Sequence, residues 1–250
     1  MNILAIGDVV GDRAVAYLEQ TLWGVRRAHA VDFVVANGEN AAEIRGLNAN
    51  QAARLLAAGV DVVTLGNHTY GQRDLYPVLE SEPRIIRPAN FPPQAPGMGY
   101  TVQPANGCRV LCMNVCGRVF MEAYADPFGT VESILRREAG NYDVSLLDVH
   151  AEATSEKLAI ARYFDGKIDI VFGTHTHVAT ADECRLPRGT AYQTDLGMTG
   201  PTDGVLGVST EAVLEKFRSL MPVRFSTSQG PVRANATLFS DGNAPRRIVF

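Results

Sequence analysis

No stretch of this chain is apolar over anything near the ~18 residues that cross a bilayer as a helix, which excludes a helical membrane protein. No export signal is expected either: MNILAIGDVVGD has no basic lead and places an acid where such a signal is still apolar, so the chain is expected to be cytoplasmic, with no membrane partner. Positive charge is not in excess. Lys+Arg number 23 against 27 Asp+Glu, a net charge of -4, which removes any chain-wide electrostatic attraction to nucleic acid or anionic lipid. Cysteine is scarce, at four residues. Cys108, Cys112 and Cys116 recur at every fourth position of a Val/Leu-rich stretch that reads as a strand, and extended residues that far apart cannot share one ion. They are read as buried thiols in a reducing compartment, and Cys184 with them is set aside as chemistry. What is left is an ordinary globular composition, 46% hydrophobic and 20% charged, over a length that suits a single domain of residues 1–250.

Short apolar runs alternate with amphipathic ones. Strands are expected at Ile3 to Ile6, Phe33 to Ala36, Val60 to Leu65, Val110 to Val115, Val144 to Val149 and Ile168 to Phe172. Between them Ala14 to Arg27, Ala49 to Ala58, Leu75 to Glu80, Val131 to Glu138 and Ser155 to Phe164 carry a 3.6-residue apolar period, the last with Thr154 as its N-cap. This β/α alternation predicts a layered α/β fold with strands buried on both faces. The Pro-rich segment Pro88 to Gly99 reads as a surface excursion within the domain. After a helix at Thr210 to Ser219, β-like stretches near Val223 to Ser226, Val232 to Phe239 and Arg247 to Phe250 suit antiparallel strands that close the sheet; this apolar C-terminal region is also where a homo-oligomer would find an interface.

The informative residues follow the strands. The first run ends in Gly7-Asp8, the second in Asn37-Gly38-Glu39-Asn40, the third in Gly66-Asn67-His68, the fifth in Asp148 to Glu152, and the sixth in Gly173 to His177. Ligands of open α/β sheets sit beyond the carboxyl ends of strands, so these tips are expected to converge. They bring together Asp8, Glu39, Asn40, Asn67, His68, His150, His175 and His177, which include four of the chain's five histidines. Carboxylate, carboxamide and imidazole suit Mn, Fe or Zn. Even without His68 the set is too large for one ion, whereas two ions bridged by a carboxylate would use it all, and a pair ~3.5 to 4 Å apart stabilises both the attacking and the leaving oxygen of a phosphoryl transfer. With only Asp8 and Glu39 anionic, two divalent ions would leave the site positive and attractive to a phosphate ester.

Asp8, Gly38-Glu39-Asn40, Gly66-Asn67-His68, His150 and Gly173-Thr174-His175-Thr176-His177 together resemble the calcineurin-like metallophosphoesterase superfamily, and are most similar to its bacterial YmdB-like branch. Gly117 to Met121, Asp126 to Phe128, His150 to Lys157 and Tyr192 to Pro201 extend the likeness over nearly the whole chain. The resemblance implies an α/β/β/α four-layer sandwich with two divalent or trivalent metal ions, Fe or Mn. It further implies hydrolysis of cyclic nucleotides, 2',3'-cyclic and also 3',5'-cyclic, as in a 2',3'-cyclic-nucleotide 2'-phosphodiesterase. On that pattern Asp8, Asn40 and His177 hold the first metal, Asn67, His150 and His175 the second, and Glu39 bridges them. A metal hydroxide would attack phosphorus while His68 acts as general acid on the leaving oxygen. Two positions depart from the wider pattern: Val10 stands where most of the superfamily has a histidine, and Tyr70-Gly71 where relatives commonly have Trp-Asp.

Arg118 is a candidate substrate-binding cation, and Asp195 a candidate support for the site. The expected partner is a small-molecule phosphodiester, with nucleic acid entering only as RNA-derived cyclic ends. A metal-bound regulatory or RNA-interacting protein with vestigial catalysis is the alternative from another class, and it calls for a missing ligand or acid where none is missing. A binuclear amidohydrolase or aminopeptidase would bring more carboxylates or a carbamylated Lys, and no Lys stands at these strand tips.

Overall fold

In β1 (Asn2–Ile6), Leu4 and Ile6 face one way, Ile3 and Ala5 the other, and all four are buried. A strand covered on both faces needs a layer on each side. The computed structural model, which describes residues 1–42 and 45–250, supplies both. Leu4 and Ile6 join Val34, Ala36 and Val63 under Leu18 and Leu22 of α1 (Asp12–Ala28) and Leu55 of α2 (Ala49–Ala57). Each such buried leucine contributes about 1.5–3 kcal/mol. Ile3 and Ala5 join Phe33, Val35 and Val62 against Val110, Cys112, Leu146, Ile170 and Phe172 of a second sheet. That sheet's far face, with Leu111, Met113, Leu147 and Val171, packs on Val131 and Ile134 of α4 (Pro127–Arg137) and Ile160 and Ala161 of α5 (Thr154–Tyr163). The layering is α/β/β/α, the four-layer sandwich expected from the sequence.

Sheet one runs β15 (Arg246–Val249), β14 (Asn235–Ser240), β1, β3 (Phe33–Asn37), β4 (Val62–Thr64), β5 (Ile85–Ile86). Its four central and outer strands β1, β3, β4 and β5 are parallel, and β14 and β15 add antiparallel beside β1. Sheet two runs β10 (Cys184–Arg185), β11 (Ala191–Gln193), β9 (Ile170–Thr174), β8 (Val144–His150), β7 (Cys108–Cys116), β6 (Tyr100–Ala105), with β7, β8, β9 and β11 parallel. Pro88 to Gly99 carries the chain from β5, the edge of sheet one, to β6, the edge of sheet two. A small third sheet joins β2 (Asp8–Val9), β12 (Met198–Pro201) and β13 (Val232–Arg233). No helix among the described residues is long and apolar enough to cross a membrane.

Two local expectations are corrected. Thr154 is the first residue of α5 and not its cap; Ala153 holds that position with no side-chain bond, and Glu156 turns its carboxylate to Arg118 N (2.9 Å) and Val119 N (3.1 Å) in the loop after β7. Val223 to Ser226 is not a strand, because no strand lies beside it: its neighbour Thr227 makes only an isolated bridge to Val208. Cys112 and Cys116 are buried free thiols, whereas Cys108 and Cys184 are half-buried.

Candidate metal centre

Each candidate ligand leaves the carboxyl end of a parallel strand or lies in the turn that follows. Asp8 lies in β2, directly after β1, where its strand pairs with Met198 and Thr199. A Cβ on Gly7 would overlap the Gly197 carbonyl, so only glycine lets the chain enter that position. Glu39 and Asn40 follow β3, Asn67 and His68 follow β4, His150 is the last residue of β8, and His175 and His177 follow β9. The two histidines after β9 are held at φ 96° and 63°, left-handed values that cost a non-glycine residue about 1–3 kcal/mol and persist only where the surroundings enforce them.

The enforcement comes from a buried ion pair. Lys157 Nζ of α5 donates to Asp195 Oδ2 at 2.7 Å, both side chains shielded from solvent. The same carboxylate accepts Thr176 N (3.1 Å) and Thr176 Oγ1 (2.7 Å), between the two histidines, and Gly197 N (2.8 Å). Asp195 thus ties the His175-Thr176-His177 turn to the loop that carries Gly197 past Gly7.

The ligand atoms fall into two groups that share Glu39. Glu39 Oε1, Asn67 Oδ1 and His175 Nδ1 each lie 3.0 Å from His150 Nε2. Glu39, His150 and His175 offer ligand atoms all within 4.8 Å of one another. On the other side, Asn40 Nδ2, which occupies the place that an amide flip gives to the ligating Oδ1, is 3.1 Å from Glu39 Oε1 and 3.2 Å from His177 Nε2, and that ring nitrogen is 3.7 Å from Asp8 Oδ1. Asp8 Oδ1 is fully buried and takes no hydrogen bond from the described residues, although Oδ2 accepts His175 N at 3.1 Å. An unpartnered buried carboxylate oxygen is expensive, and a bound cation is what such an atom fits. The donor set, with imidazole and carboxylate oxygen and no thiolate, suits Mn, Fe or Zn.

Electrostatics point the same way. Burial opposes charge on His150, but the adjacent Glu39 carboxylate overcomes it and raises the imidazole to about 9. Burial would raise Glu39, yet His150 and His68 hold it at about 2. Asp8 is pushed up to about 6, chiefly by burial, and His175 down to about 4 by burial and by His150. A proton lodged on His150 among three oxygen and nitrogen acceptors marks a place where positive charge is welcome.

Hydrogen bonds from behind set the ring orientations. Thr174 Oγ1 donates to Asp148 Oδ1 (2.7 Å), so its lone pair faces His150 Nδ1 at 2.9 Å and leaves Nε2 to the cluster. Asp148 is buried and also accepts Thr64 Oγ1 (2.5 Å) and Asn37 Nδ2 (3.1 Å). His175 turns Nε2 to Glu152 Oε2 at 3.0 Å, which leaves Nδ1 facing His150. His68 Nδ1 lies 3.0 Å from Asn40 Oδ1, and burial lowers its pKa. The Asn40 carboxamide is thus the group that faces His68 Nδ1, while Tyr70 packs edge-on to Tyr76 and donates to Pro96 O.

Arg118 is exposed in the loop after β7, and its guanidinium makes no hydrogen bond or ion pair with the described residues. It does not line the recess beside the histidines. Among the supporting residues, Asp195 was visible in the sequence as a candidate, whereas Asp148, Asn37, Glu152 and Lys157 were not singled out. The signal for Asp148 is an acid between Leu147 and Val149 in a strand buried on both faces.

Paired sheets whose carboxyl ends meet at a buried cluster of imidazole, carboxamide and carboxylate define a metallophosphoesterase sandwich. Residues 4–246 match the model of the YmdB-like protein family, and the chain belongs to that family. It is 39% identical over 249 residues to the 2',3'-cyclic-nucleotide 2'-phosphodiesterase of Bacillus subtilis (strain 168), covering 100% of this chain and 94% of that one. A crystal structure of a hypothetical protein from Thermus thermophilus superposes with a TM-score of 0.93 at 42% identity, covering 100% of this chain and 99% of the other. That of a novel phosphatase from Mycoplasma pneumoniae gives 0.91 at 29% identity, covering 100% and 93%.

Proposed function

We propose that the protein is a two-metal phosphodiesterase that opens nucleoside 2',3'-cyclic phosphates, with 3',5'-cyclic esters as further substrates. The carrying observation is the buried, unpartnered Asp8 Oδ1 beside a cluster in which three ligand atoms crowd His150 Nε2. The activity named for the Bacillus subtilis relative supports the reading. In it Asp8, Asn40 and His177 would hold one ion and Asn67, His150 and His175 the other, with Glu39 serving both, and Mn or Fe are the ions the donors suit. When bound, such a pair supplies positive charge to the phosphoryl oxygens and lowers the pKa of a water to about 7.

The chain's own residues do the rest. Glu39 and Asp8, shielded from solvent, keep the two halves of the cluster in place, and the Lys157–Asp195 pair holds His175 and His177 at their left-handed φ values. His68 lines the recess where an ester would lie, and the Asn40 carboxamide stands 3.0 Å from its Nδ1; turned so that its oxygen ligates an ion, that carboxamide would donate Nδ2–H to Nδ1 and leave the proton on Nε2. A ribose alkoxide is a poor leaving group, so a proton delivered from His68 Nε2 should be worth about 10²- to 10⁴-fold.

The test is elemental analysis of purified protein beside turnover assays with Mn²⁺. About two ions per chain, hydrolysis of adenosine 2',3'-cyclic phosphate and no turnover across an amide panel are expected. A protein that binds the ions and hydrolyses no phosphodiester would return the reading to a metal-bound regulatory protein.

A further inference from the structure

Val10, where most of the superfamily has a histidine, has a counterpart across the site. Gly207, at φ 86°, sits so close that a Cβ there would lie 2.6 Å from Val10 Cγ1. Gly207 belongs to a tight turn in which Val205 and Val208 exchange backbone hydrogen bonds of 2.8 and 3.0 Å. The turn's tip is Leu206, a non-glycine residue at φ 52°. Its carbonyl lies 3.4 Å from His177 Nδ1, while its side chain stands 47% exposed. Residues 226–228 run alongside, with Ser209 N bonded to Ser226 O and Ser228 N to Gly207 O, both at 2.9 Å.

Between the turn and this segment a recess of about 240 Å³ opens beside His68, His175 and His177, walled by Val10, Leu206, Val208 and Phe225. Apart from the cluster, no charged side chain among the described residues lines it; its polar wall is Ser226 and Thr227. An apolar slot continuous with a cluster of phosphate-seeking groups fits a ligand that is anionic at one end and flat and apolar-faced at the other.

We propose, on the strength of the phosphodiesterase reading above, that this recess is the base subsite: the nucleobase lies against Leu206 and Phe225 while its phosphate sits at the cluster. A face-on contact with aliphatic and aromatic side chains serves every base, because each has an apolar face, whereas the two hydroxyls are too few to read one edge. All four bases are accepted with similar KM, and an ester without a base binds more weakly.

The experiment compares adenosine 2',3'-cyclic phosphate with methyl riboside 2',3'-cyclic phosphate, which lacks a base, on Mn²⁺-loaded wild type, Phe225→Ala and Phe225→Tyr. For the wild type the KM of the nucleotide should be about tenfold the lower. Phe225→Ala should bring the ratio of the two KM values close to one by raising that of the nucleotide, and Phe225→Tyr should restore it. A ratio unaltered in Phe225→Ala, or near one in the wild type, overturns the subsite while leaving the phosphodiesterase reading intact. Calorimetry with adenosine 3'-phosphate and methyl riboside 3'-phosphate separates the two ideas. If neither cyclic ester is hydrolysed, tighter binding of the adenosine compound upholds the base subsite alone, and equal binding overturns it.

Discussion

Loading the metal-free protein with Mn²⁺ at pH 7 should expel about one proton per chain from His150, in addition to what a water held by the ions loses. His150 Nε2 is where Glu39 Oε1, Asn67 Oδ1 and His175 Nδ1 converge at 3.0 Å, so an ion cannot enter until the nitrogen is bare. Burial disfavours the imidazolium, but Glu39 outweighs burial and sets its pKa to about 9. At pH 7 Glu39, at about 2, and His175, at about 4, have already lost their protons. Asp8, raised to about 6 by burial, is about nine-tenths ionised and adds about a tenth of a proton. Apparent affinity should therefore rise about tenfold, or about 1.4 kcal/mol, for each pH unit between 7 and 8. The slope steepens below the Asp8 value and flattens above that of His150. The stability of the metal-free protein runs the opposite way: a raised imidazole pKa stabilises the fold fully below the unfolded value near 6.5, and that contribution is lost as pH climbs through about 9. Titration calorimetry in two buffers of different ionisation heat counts the protons directly. Uptake at pH 7 that releases none, or an affinity flat from pH 7 to 8, would refute the pairing of His150 with Glu39.

Three substitutions probe the rest. Gly66→Ala puts a methyl group into the Glu39 carboxylate and the His150 ring, so metal affinity should fall at least about tenfold with little change in the melting temperature of the metal-free protein; an unchanged metal content by elemental analysis would show that the cluster can shift. Lys157→Met leaves the Asp195 carboxylate buried without its cation and should cost about 3–5 kcal/mol in urea unfolding. Adding Asp195→Leu should recover part of that stability without restoring metal affinity, because Thr176 N and Gly197 N lose their acceptor. His68→Ala should keep its metal yet slow adenosine 2',3'-cyclic phosphate about 10²- to 10⁴-fold, and slow an activated aryl ester less, since that leaving group hardly needs a proton; equal losses on both would remove His68 as the acid.

The long strands and their tips were legible because two-sided burial writes an uninterrupted apolar run, and Gly followed by Asp, Glu, Asn or His marks where it ends. β2, β5, β10, β11 and β12 were not, since two to four residues carry no period and are fixed only by a neighbour remote in sequence, as Met198 is for Asp8. The same distinction divides the site. Ligands could be read singly from position, whereas their supports needed the fold: Lys157 looks like an ordinary helix-surface residue until α5 is packed against β9, and Glu156 looks like a first-turn acid until the loop after β7 arrives beside it. The recess was invisible for a stronger reason, being assembled from Val10, Leu206 and Phe225, which no local pattern links.

The order in which the ribosome delivers this chain has a cost that follows from β14. Strand β1 is among the first segments made, yet its second neighbour, Asn235–Ser240, emerges some two hundred residues later, and Asn235 is also the residue whose carbonyl receives Gly7 N and whose amide reaches Met198. Until then Asp8 has no fixed place, so a nascent chain can bring Glu39, His150 and His175 together and still lack the acid of the other half of the cluster. Polypeptides that end before this segment should therefore lack an ordered Asp8 and hold fewer ions per chain than the full chain.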